Sequence, residues 1–202
     1  MKFNYFLTKK NKYKDFWEWF KSESNNYYKL NNNDISILHK LKAKLEKVND
    51  CLTFEISGVL KNNKRNLVIS ADGIQAAFPD VISLVEQAPK FDNFKIIAFR
   101  QAKPSIEEII YGMVKIPLDS IFFSYEKNEE TIDLVINIRN YEESEEWNGI
   151  SYIILDHIIG EYNTETIIGY VEEKKLNEFN IQKLYRINEL PKIIEKYKME
   201  LG

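Results

Sequence analysis

Two side chains capable of acid–base chemistry lie four positions apart within residues 150–163, where His157 precedes Glu161 in an otherwise apolar run. Four positions are close to one helical turn, so the two side chains share a face if the helix continues. A histidine with a carboxylate can act as a general base with its orienting partner, or supply two ligands to a metal ion. Gly160 instead favours the end of the helix before Glu161, which leaves both groups to satisfy buried backbone atoms.

A metal centre needs a third ligand, and the sequence supplies little for one. The only other histidine is His39, which lies off the apolar stripe of a different predicted helix and is interpreted as an exposed or boundary residue. Cys51 is the only cysteine, so an intrachain disulfide and a zinc cluster of several thiolates are excluded. We expect Cys51 to be a buried, inert thiol in a strand. We therefore expect no metal and no cofactor, and a structural role for His157 and Glu161.

A second polar cluster, residues 70–73, follows a predicted strand, and loops after strands often carry function. Asp72 is its candidate catalytic residue. In the simpler interpretation the cluster is a turn, in which Asp72 bonds its own backbone and Gly73 takes a positive φ. The sequence contains no phosphate-binding glycine-rich motif, no nucleophile elbow and no HExxH zinc motif. A small hydrolase or metal-assisted enzyme centred on His157 and Glu161 is the alternative function, and it needs a pocket that joins these residues.

Four aromatic residues of the N-terminal segment are candidates for a binding surface: Trp17, Trp19, Tyr27 and Tyr28. Aromatic side chains suit interfaces because they bury a large area at a low cost in conformational entropy. The alternative is that these rings only dock their helix on its own domain. Because the enzyme motifs are absent and these rings crowd together, the leading prediction is a non-enzymatic accessory module that binds a protein partner.

The charge balance argues against nucleic acid as a partner. The net charge is −3, and phosphate backbones are usually bound by a concentrated basic patch. The basic residues gather only in two short groups, Lys9, Lys10, Lys12 and Lys14, and then Lys61, Lys64 and Arg65. We interpret both groups as solvated surface and predict no binding of DNA or RNA.

The apolar runs are too short for a membrane helix or for the core of a signal peptide. We therefore expect no membrane association and a cytoplasmic location. Hydrophobic residues make up 44% of the chain, which is enough for a buried core and excludes a disordered protein.

The spacing of apolar residues predicts the elements that must position these groups. It indicates helices within residues 12–24, 34–48, 70–91, 144–160 and 187–201, the second of them capped by Asn33 or Asp34. It indicates strands within residues 51–60, 66–70, 94–101, 120–127, 131–140 and 166–176. The strand at 94–101 is apolar on both faces and is predicted to be central. Residues 104–119 allow either a helix opened by Pro104 or a strand, and we favour the strand.

This order predicts an α+β fold with a mixed, largely antiparallel sheet, covering helices and an N-terminal helical pair. The helical period gives way to the strand period near residue 50. We therefore predict a single α+β domain over residues 1–202, in which residues 1–49 form a helical segment packed on a core of residues 50–202.

The segment YIILDHIIGEYNTETIIGYVE carries the pattern Leu-Asp-x-x-x-Gly-Glu, followed by a short strand with Ile, Val and Glu. In this it resembles small uncharacterised bacterial proteins that share a domain of unknown function. The segments LVISADG, AFPDVISLVEQAP and FKIIAFR are similar to the middle of the same proteins, so the resemblance spans residues 50–175. It implies one coherent bacterial domain and brings no activity with it.

Overall fold

The structure is a computed structural model that describes residues 11–31, 34–60, 62–103 and 105–201. It divides into two compact units, Met1–Ala98 and Phe99–Gly202, and both contain helices and strands. The predicted α+β class, with mixed and mostly antiparallel sheets and an N-terminal helical pair, is confirmed. That residues 1–202 unfold as one domain stays a prediction, which calorimetry tests. The predicted cap at Asn33, the predicted helix start at Pro104 and the basic residues Lys9, Lys10 and Lys61 lie outside the described residues.

The first unit combines two N-terminal helices with a small sheet. Its elements are α1 (Lys12–Tyr28), α2 (Ile35–Leu45), β1 (Thr53–Ile56), β2 (Arg65–Ser70), α3 (Phe78–Glu86) and β3 (Phe94–Ala98). Strands β1 and β2 form an antiparallel hairpin, and β3 joins β2 in parallel after a crossover that contains α3. Helix α1 begins after Asn11, whose side-chain oxygen accepts from the amides of Tyr13 and Lys14.

Among the described residues the sheet has the order β1-β2-β3, so strand β3 lies at its edge and the prediction of a central strand is wrong. The apolar character that led to it is real, because Phe94 is buried against the ring of Phe20 in α1, with ring centroids 5.4 Å apart. A strand whose faces are covered looks the same in sequence at the centre and at the edge of a sheet. The burial of its two faces therefore does not show whether a strand pairs with one neighbouring strand or with two.

The second unit contains two sheets and three helices among its described residues. Its elements are β4 (Glu108–Tyr111), β5 (Val114–Pro117), β6 (Ile121–Lys127), β7 (Ile132–Ile138), α4 (Ile150–Ile159), α5 (Glu161–Ile167), β8 (Ile168–Lys175), β9 (Tyr185–Arg186) and α6 (Leu190–Leu201). Among the described residues, strands β4 and β5 pair only with each other, and the larger sheet has the order β8-β7-β6-β9. The strand favoured within residues 104–119 is therefore found as two strands of a hairpin.

The larger sheet repeats the connections of the first unit. Strands β6 and β7 form an antiparallel hairpin, and β8 then joins β7 in parallel after the helices α4 and α5. Alternate residues of β7 are buried and face α4, as period 2 requires. The sheet of the first unit and strands β6, β7 and β8 of the second thus share one order: a hairpin, a helical crossover and an added parallel strand.

Helix α4 is shorter than predicted. It begins at Ile150 and not near Ser144, because Gly149 takes a left-handed conformation (φ 75°) that separates it from a short 3₁₀ turn at Glu145–Trp147. Its apolar residues enter the core, where Ile154 is fully buried. The predicted end at Gly160 is confirmed, and the helix α5 follows without a loop.

Candidate functional site

The predicted pair His157 and Glu161 flanks the corner between α4 and α5, where the chain turns at Gly160. This corner rests on residues 100–103 of the same unit. The amide of Glu161 donates to the carbonyl oxygen of Arg100 at 3.0 Å, and the amide of Lys103 donates to the carbonyl oxygen of His157 at 2.7 Å. The backbone of one segment therefore satisfies groups that the two helix ends leave unpaired.

Gly160 is required at this corner for two physical reasons. Its φ of 81° is a conformation that side chains with a Cβ rarely adopt. A Cβ atom here would also lie 3.1 Å from the carbonyl oxygen of Arg100 and 3.2 Å from the amide nitrogen of Ala102. The close approach of the two backbones is what allows the hydrogen bonds between them to form.

The imidazole of His157 has a partner at each ring nitrogen. Its Nδ1 lies 2.8 Å from the carbonyl oxygen of Ile153, and its Nε2 lies 3.0 Å from Nζ of Lys103. A carbonyl oxygen can only accept and an ammonium group can only donate. The neutral imidazole with its proton on Nδ1 fits both contacts, so the ring acts here as a bridge between α4 and Lys103.

Glu161 is fully buried, and its carboxylate contacts backbone. Its Oε2 accepts from the amide of Arg100 at 3.0 Å. Asp156 lies 3.9 Å from the guanidinium group of Arg100. Burial raises the pKa of Glu165 above its usual range, and the charges of Asp156 and Glu161 raise it further. Negative charge is therefore concentrated at this corner.

This concentration of carboxylates does not form a metal centre in the part of the chain that the structure describes. No group of three or more His, Cys, Asp and Glu side chains is arranged there to hold an ion. A carboxyl with a raised pKa is common at catalytic sites, but it also occurs where acidic groups are buried for structural reasons. The contacts of Glu161 and His157 with backbone support the structural role predicted for both.

The other candidate acid, Asp72, belongs to the first unit. It lies in a turn directly after β2, with a positive φ of 47°, and Gly73 follows with the predicted positive φ of 79°. The amide of Asp72 donates to the side-chain oxygen of Ser70 at 3.1 Å, and the bond of the Asp72 side chain to its own backbone stays a prediction. The enzyme alternative, which joins Asp72 to His157 and Glu161, stays a prediction.

The remaining histidine and the cysteine take ordinary positions. His39 is exposed on α2, as predicted. Cys51 lies in the turn before β1 and is only half-buried, so the prediction of a buried strand residue is wrong. Burial of the thiol, and its hydrogen bond to Asp50, raise the pKa of Cys51, which lowers the fraction of reactive thiolate.

The N-terminal aromatic residues are used mainly inside the first unit. Trp17 is 2% exposed and donates to the carbonyl oxygen of Leu84 at 2.7 Å. Tyr27 is fully buried and donates to the carbonyl oxygen of Ile37 at 3.0 Å. Burial removes these two residues from the surface and supports the alternative that the rings dock their helix.

Trp19 and Tyr28 are half-buried, so part of each side chain is accessible to solvent. The ammonium group of Lys44 lies 5.1 Å from the Trp19 ring centroid, and the Tyr28 hydroxyl donates to the carbonyl oxygen of Asn63. Both residues therefore have intramolecular contacts, and a binding role for them stays a prediction.

A surface that the sequence interpretation missed lies on the hairpin β4–β5. Ile110, Tyr111 and Met113 are 57%, 38% and 92% exposed; we call these three residues the hairpin patch. Alternate positions of the same strands, among them Ile109 and Ile116, are buried. Ile110 lies on the opposite, outer face beside Lys115, Tyr111 lies at the exposed end of the buried face, and Met113 lies in the turn next to Gly112. The run IIYGMV carries this signal in the sequence.

Comparisons of the chain with protein-family models, with curated proteins and with solved structures find no match. The resemblance to small bacterial proteins of unknown function therefore stays a prediction. Among the described residues, no helix is both long and apolar enough to cross a membrane.

Proposed function

We propose that this protein is a non-enzymatic module that binds a protein partner, and that the hairpin patch is its contact surface. The observation that carries the proposal is the exposure of Met113 at 92% and of Ile110 at 57% on neighbouring positions of one hairpin. Burying an aliphatic side chain of this size stabilises a complex by about 1.5–3 kcal/mol. A folded hairpin that presents apolar side chains close together offers this gain at a lower entropy cost than an unstructured segment would.

The backbone of the hairpin supports the same function. Among the described residues, β4 and β5 pair only with each other, so the outer edge of each strand carries no strand partner. An open edge can accept a strand from a binding partner, which adds hydrogen bonds to the apolar contact. Charged residues at Glu108 and Lys115 flank the patch and suit the polar rim of an interface.

The contacts around His157 and Glu161 favour this function over the enzyme alternative. Both groups are engaged with backbone atoms at the corner between α4 and α5. A general base needs an accessible nitrogen or oxygen directed at a substrate. The imidazole instead has Lys103 at one nitrogen and a carbonyl oxygen at the other.

Site-specific photocrosslinking in the native cells tests the proposal. A crosslinking amino acid is placed at Met113 in one sample and, as a matched control, at Phe179, which is also 92% exposed. We expect a discrete crosslinked protein from position 113 and none from position 179. Equal crosslinking from both positions, or none from either, would overturn the proposal.

A second experiment separates binding from folding. The triple variant Ile110→Ser, Tyr111→Ser and Met113→Ser changes only exposed side chains, so its circular dichroism and melting temperature should stay close to wild type. We expect the crosslinked protein found at position 113 to be lost from affinity purifications of this variant. Its retention would show that the hairpin patch is not the contact surface.

A further inference from the structure

A concave site in the first unit is lined by lysines. It lies between the β1–β2 loop, the C-terminal end of α3 and the start of β3, and it has a volume of about 470 Å³. Its charged groups come from Lys64, Lys90 and Lys95. Its apolar wall is formed by Val85, Pro89 and Phe91. This volume lies within the range of sites that bind small molecules, which is about 300–1,000 Å³.

The three ammonium groups are not neutralised by neighbouring acids in the described part of the chain. The residues that line the site there include no Asp or Glu, and Lys90 and Lys95 form no ion pair with a described residue. Lys64 is held at the site because its Nζ donates to the carbonyl oxygen of Phe91 at 3.3 Å. The site therefore combines one positioned cation with two exposed ones.

A second lysine-lined cleft of the same unit shows the contrast. It has a volume of about 250 Å³, and Lys12, Lys44 and Lys47 line it together with the carboxylate of Asp15. Lys12 is also paired with Asp80 at 2.6 Å. Positive charge is partly cancelled in this smaller cleft, whereas the larger site retains it.

The C-terminal end of α3 opposes anion binding, but only weakly. A helix C-terminus carries a partial negative charge equivalent to about half an elementary charge. The carbonyl oxygens of its last turn are already engaged, since Leu84 accepts from the Trp17 indole and Val85 accepts from the amide of Ala88. Three ammonium groups outweigh this contribution, so the site as a whole attracts anions.

We propose that this site binds a small organic phosphate, with the phosphate group among Lys64, Lys90 and Lys95 and an apolar or planar body against Pro89 and Phe91. Lysine binds phosphate as a point charge, and several lysines together match its double negative charge better than that of a single carboxylate. The volume is sufficient for a ligand of this size and the wall gives its body an apolar contact. This proposal is independent of the hairpin patch, which lies in the other unit.

Isothermal titration of the full chain with AMP, inorganic phosphate and adenosine tests the ligand class. We expect AMP to bind with a Kd below about 1 mM and more tightly than phosphate or adenosine, because charge and wall both contribute. Absence of AMP binding at about 5 mM would overturn the proposal. Equal affinity for phosphate and AMP would show that the apolar wall does not contribute to binding, and this result would also overturn the proposal.

Matched variants test the location. The double variant Lys90→Gln and Lys95→Gln should weaken AMP binding at least about tenfold, whereas Lys44→Gln with Lys47→Gln, an equal change of charge in the smaller cleft, should change it less than about twofold. All four side chains extend from folded backbone without ion pairs to other described residues, and thermal melts confirm that each variant folds. An equal loss in both variants would show attraction to net charge only and would contradict the site.

A short RNA oligomer provides the last arm of the experiment. We expect it to bind no more tightly than AMP does, because the positive charge of the site is confined to Lys64, Lys90 and Lys95. If RNA binds more tightly than AMP, and if this binding depends on Lys90 and Lys95, the ligand of the site is a polynucleotide and the proposal of a small phosphate is overturned. Such binding would also contradict the sequence-based prediction that the chain binds no nucleic acid.

Discussion

Arg100 and Glu161 exchange two hydrogen bonds: the Arg100 amide donates to Oε2 of Glu161, and the Glu161 amide donates to the Arg100 carbonyl oxygen, each at 3.0 Å. The two residues are 61 positions apart in the sequence, so this pair closes a long stretch of the second unit. Because the Glu161 side chain is fully buried, water cannot replace it as the acceptor for the amide.

Removal of the Glu161 carboxylate should destabilise the fold. We expect Glu161→Ala to lower the free energy of unfolding by about 1–3 kcal/mol, since it leaves a buried amide without its acceptor. Glu161→Gln keeps an acceptor oxygen and should lose less. Urea denaturation measures both. The exposed Glu146→Ala is the control, with an expected change below about 0.5 kcal/mol; an equal effect in Glu161→Ala would contradict the buried role.

Two glycines with a positive φ differ both in ψ and in their surroundings: Gly149 is left-handed helical with a ψ of 9°, whereas Gly160 is extended with a ψ of 153°. Gly149 has a φ of 75° and open space around its Cα, whereas a Cβ on Gly160 would meet the backbone of Arg100. We expect Gly149→Ala to cost about 1 kcal/mol of unfolding free energy from conformation alone. Gly160→Ala should cost at least about 1 kcal/mol more in the same urea titrations. Equal costs would show that the corner tolerates the added methyl group.

Asp80 gives the first unit a pH dependence with a definite sign. Burial raises its pKa, but hydrogen bonds from Asn49, Lys12 and Tyr13 outweigh burial and hold the pKa below the ordinary value of 3.8. A carboxylate with a lowered pKa stabilises the folded state above its unfolded pKa, and this contribution is lost as the pH falls through the folded pKa.

The variant Asp80→Asn tests this sign. At pH 7 we expect it to lower the free energy of unfolding by about 1–3 kcal/mol, because a charged acceptor of three hydrogen bonds is replaced. The difference from wild type should shrink as the pH falls below 3.8. The exposed Asp92→Asn is the control, with an expected change below about 0.5 kcal/mol at pH 7. A difference that stays constant between pH 7 and pH 3 would refute the role of the Asp80 charge.

Purified protein should contain no stoichiometric metal, because His157 is engaged with Ile153 and Lys103 and the described residues form no cluster of ligands. Elemental analysis of the wild type measures this directly. His157→Gln should lower the free energy of unfolding by about 1 kcal/mol through the lost contacts. Stoichiometric zinc, manganese or iron that disappears in both His157→Gln and Glu161→Gln would reinstate the metal-assisted enzyme.

Local patterns predicted the elements well where one face of an element is buried. The strict alternation of β7 and the glycine at position 160 are examples, since each depends only on neighbouring residues. The start of α4 was missed because Trp147 continues the apolar helical pattern, although Gly149 breaks the helix. Composition cannot show which of two conformations a glycine adopts.

The partners of the candidate site could not be predicted from spacing. His157 and Glu161 are four residues apart, yet the imidazole contacts Lys103 and the carboxylate contacts Arg100, which lie 54 and 61 positions away. These contacts depend on how residues 100–103 pass the corner, which is a tertiary property. The hairpin patch could not be predicted for a similar reason. Whether an apolar strand residue is exposed depends on the elements that cover the strand, and these are known only from the tertiary structure.

The shared order of hairpin, helical crossover and parallel strand sets the sequence of folding events in each unit. Strands β6 and β7 are joined by residues 128–131 only, whereas β8 reaches β7 after residues 139–167. Closing the longer loop costs more entropy, so we expect each hairpin to form before β3 or β8 joins it. Pulsed hydrogen exchange during refolding should show protection of β8 amides after those of β6, and simultaneous protection would contradict this order. Until β8 joins, one edge of β7 is open to a second nascent chain, which places an aggregation risk of this protein in the interval before β8 is added.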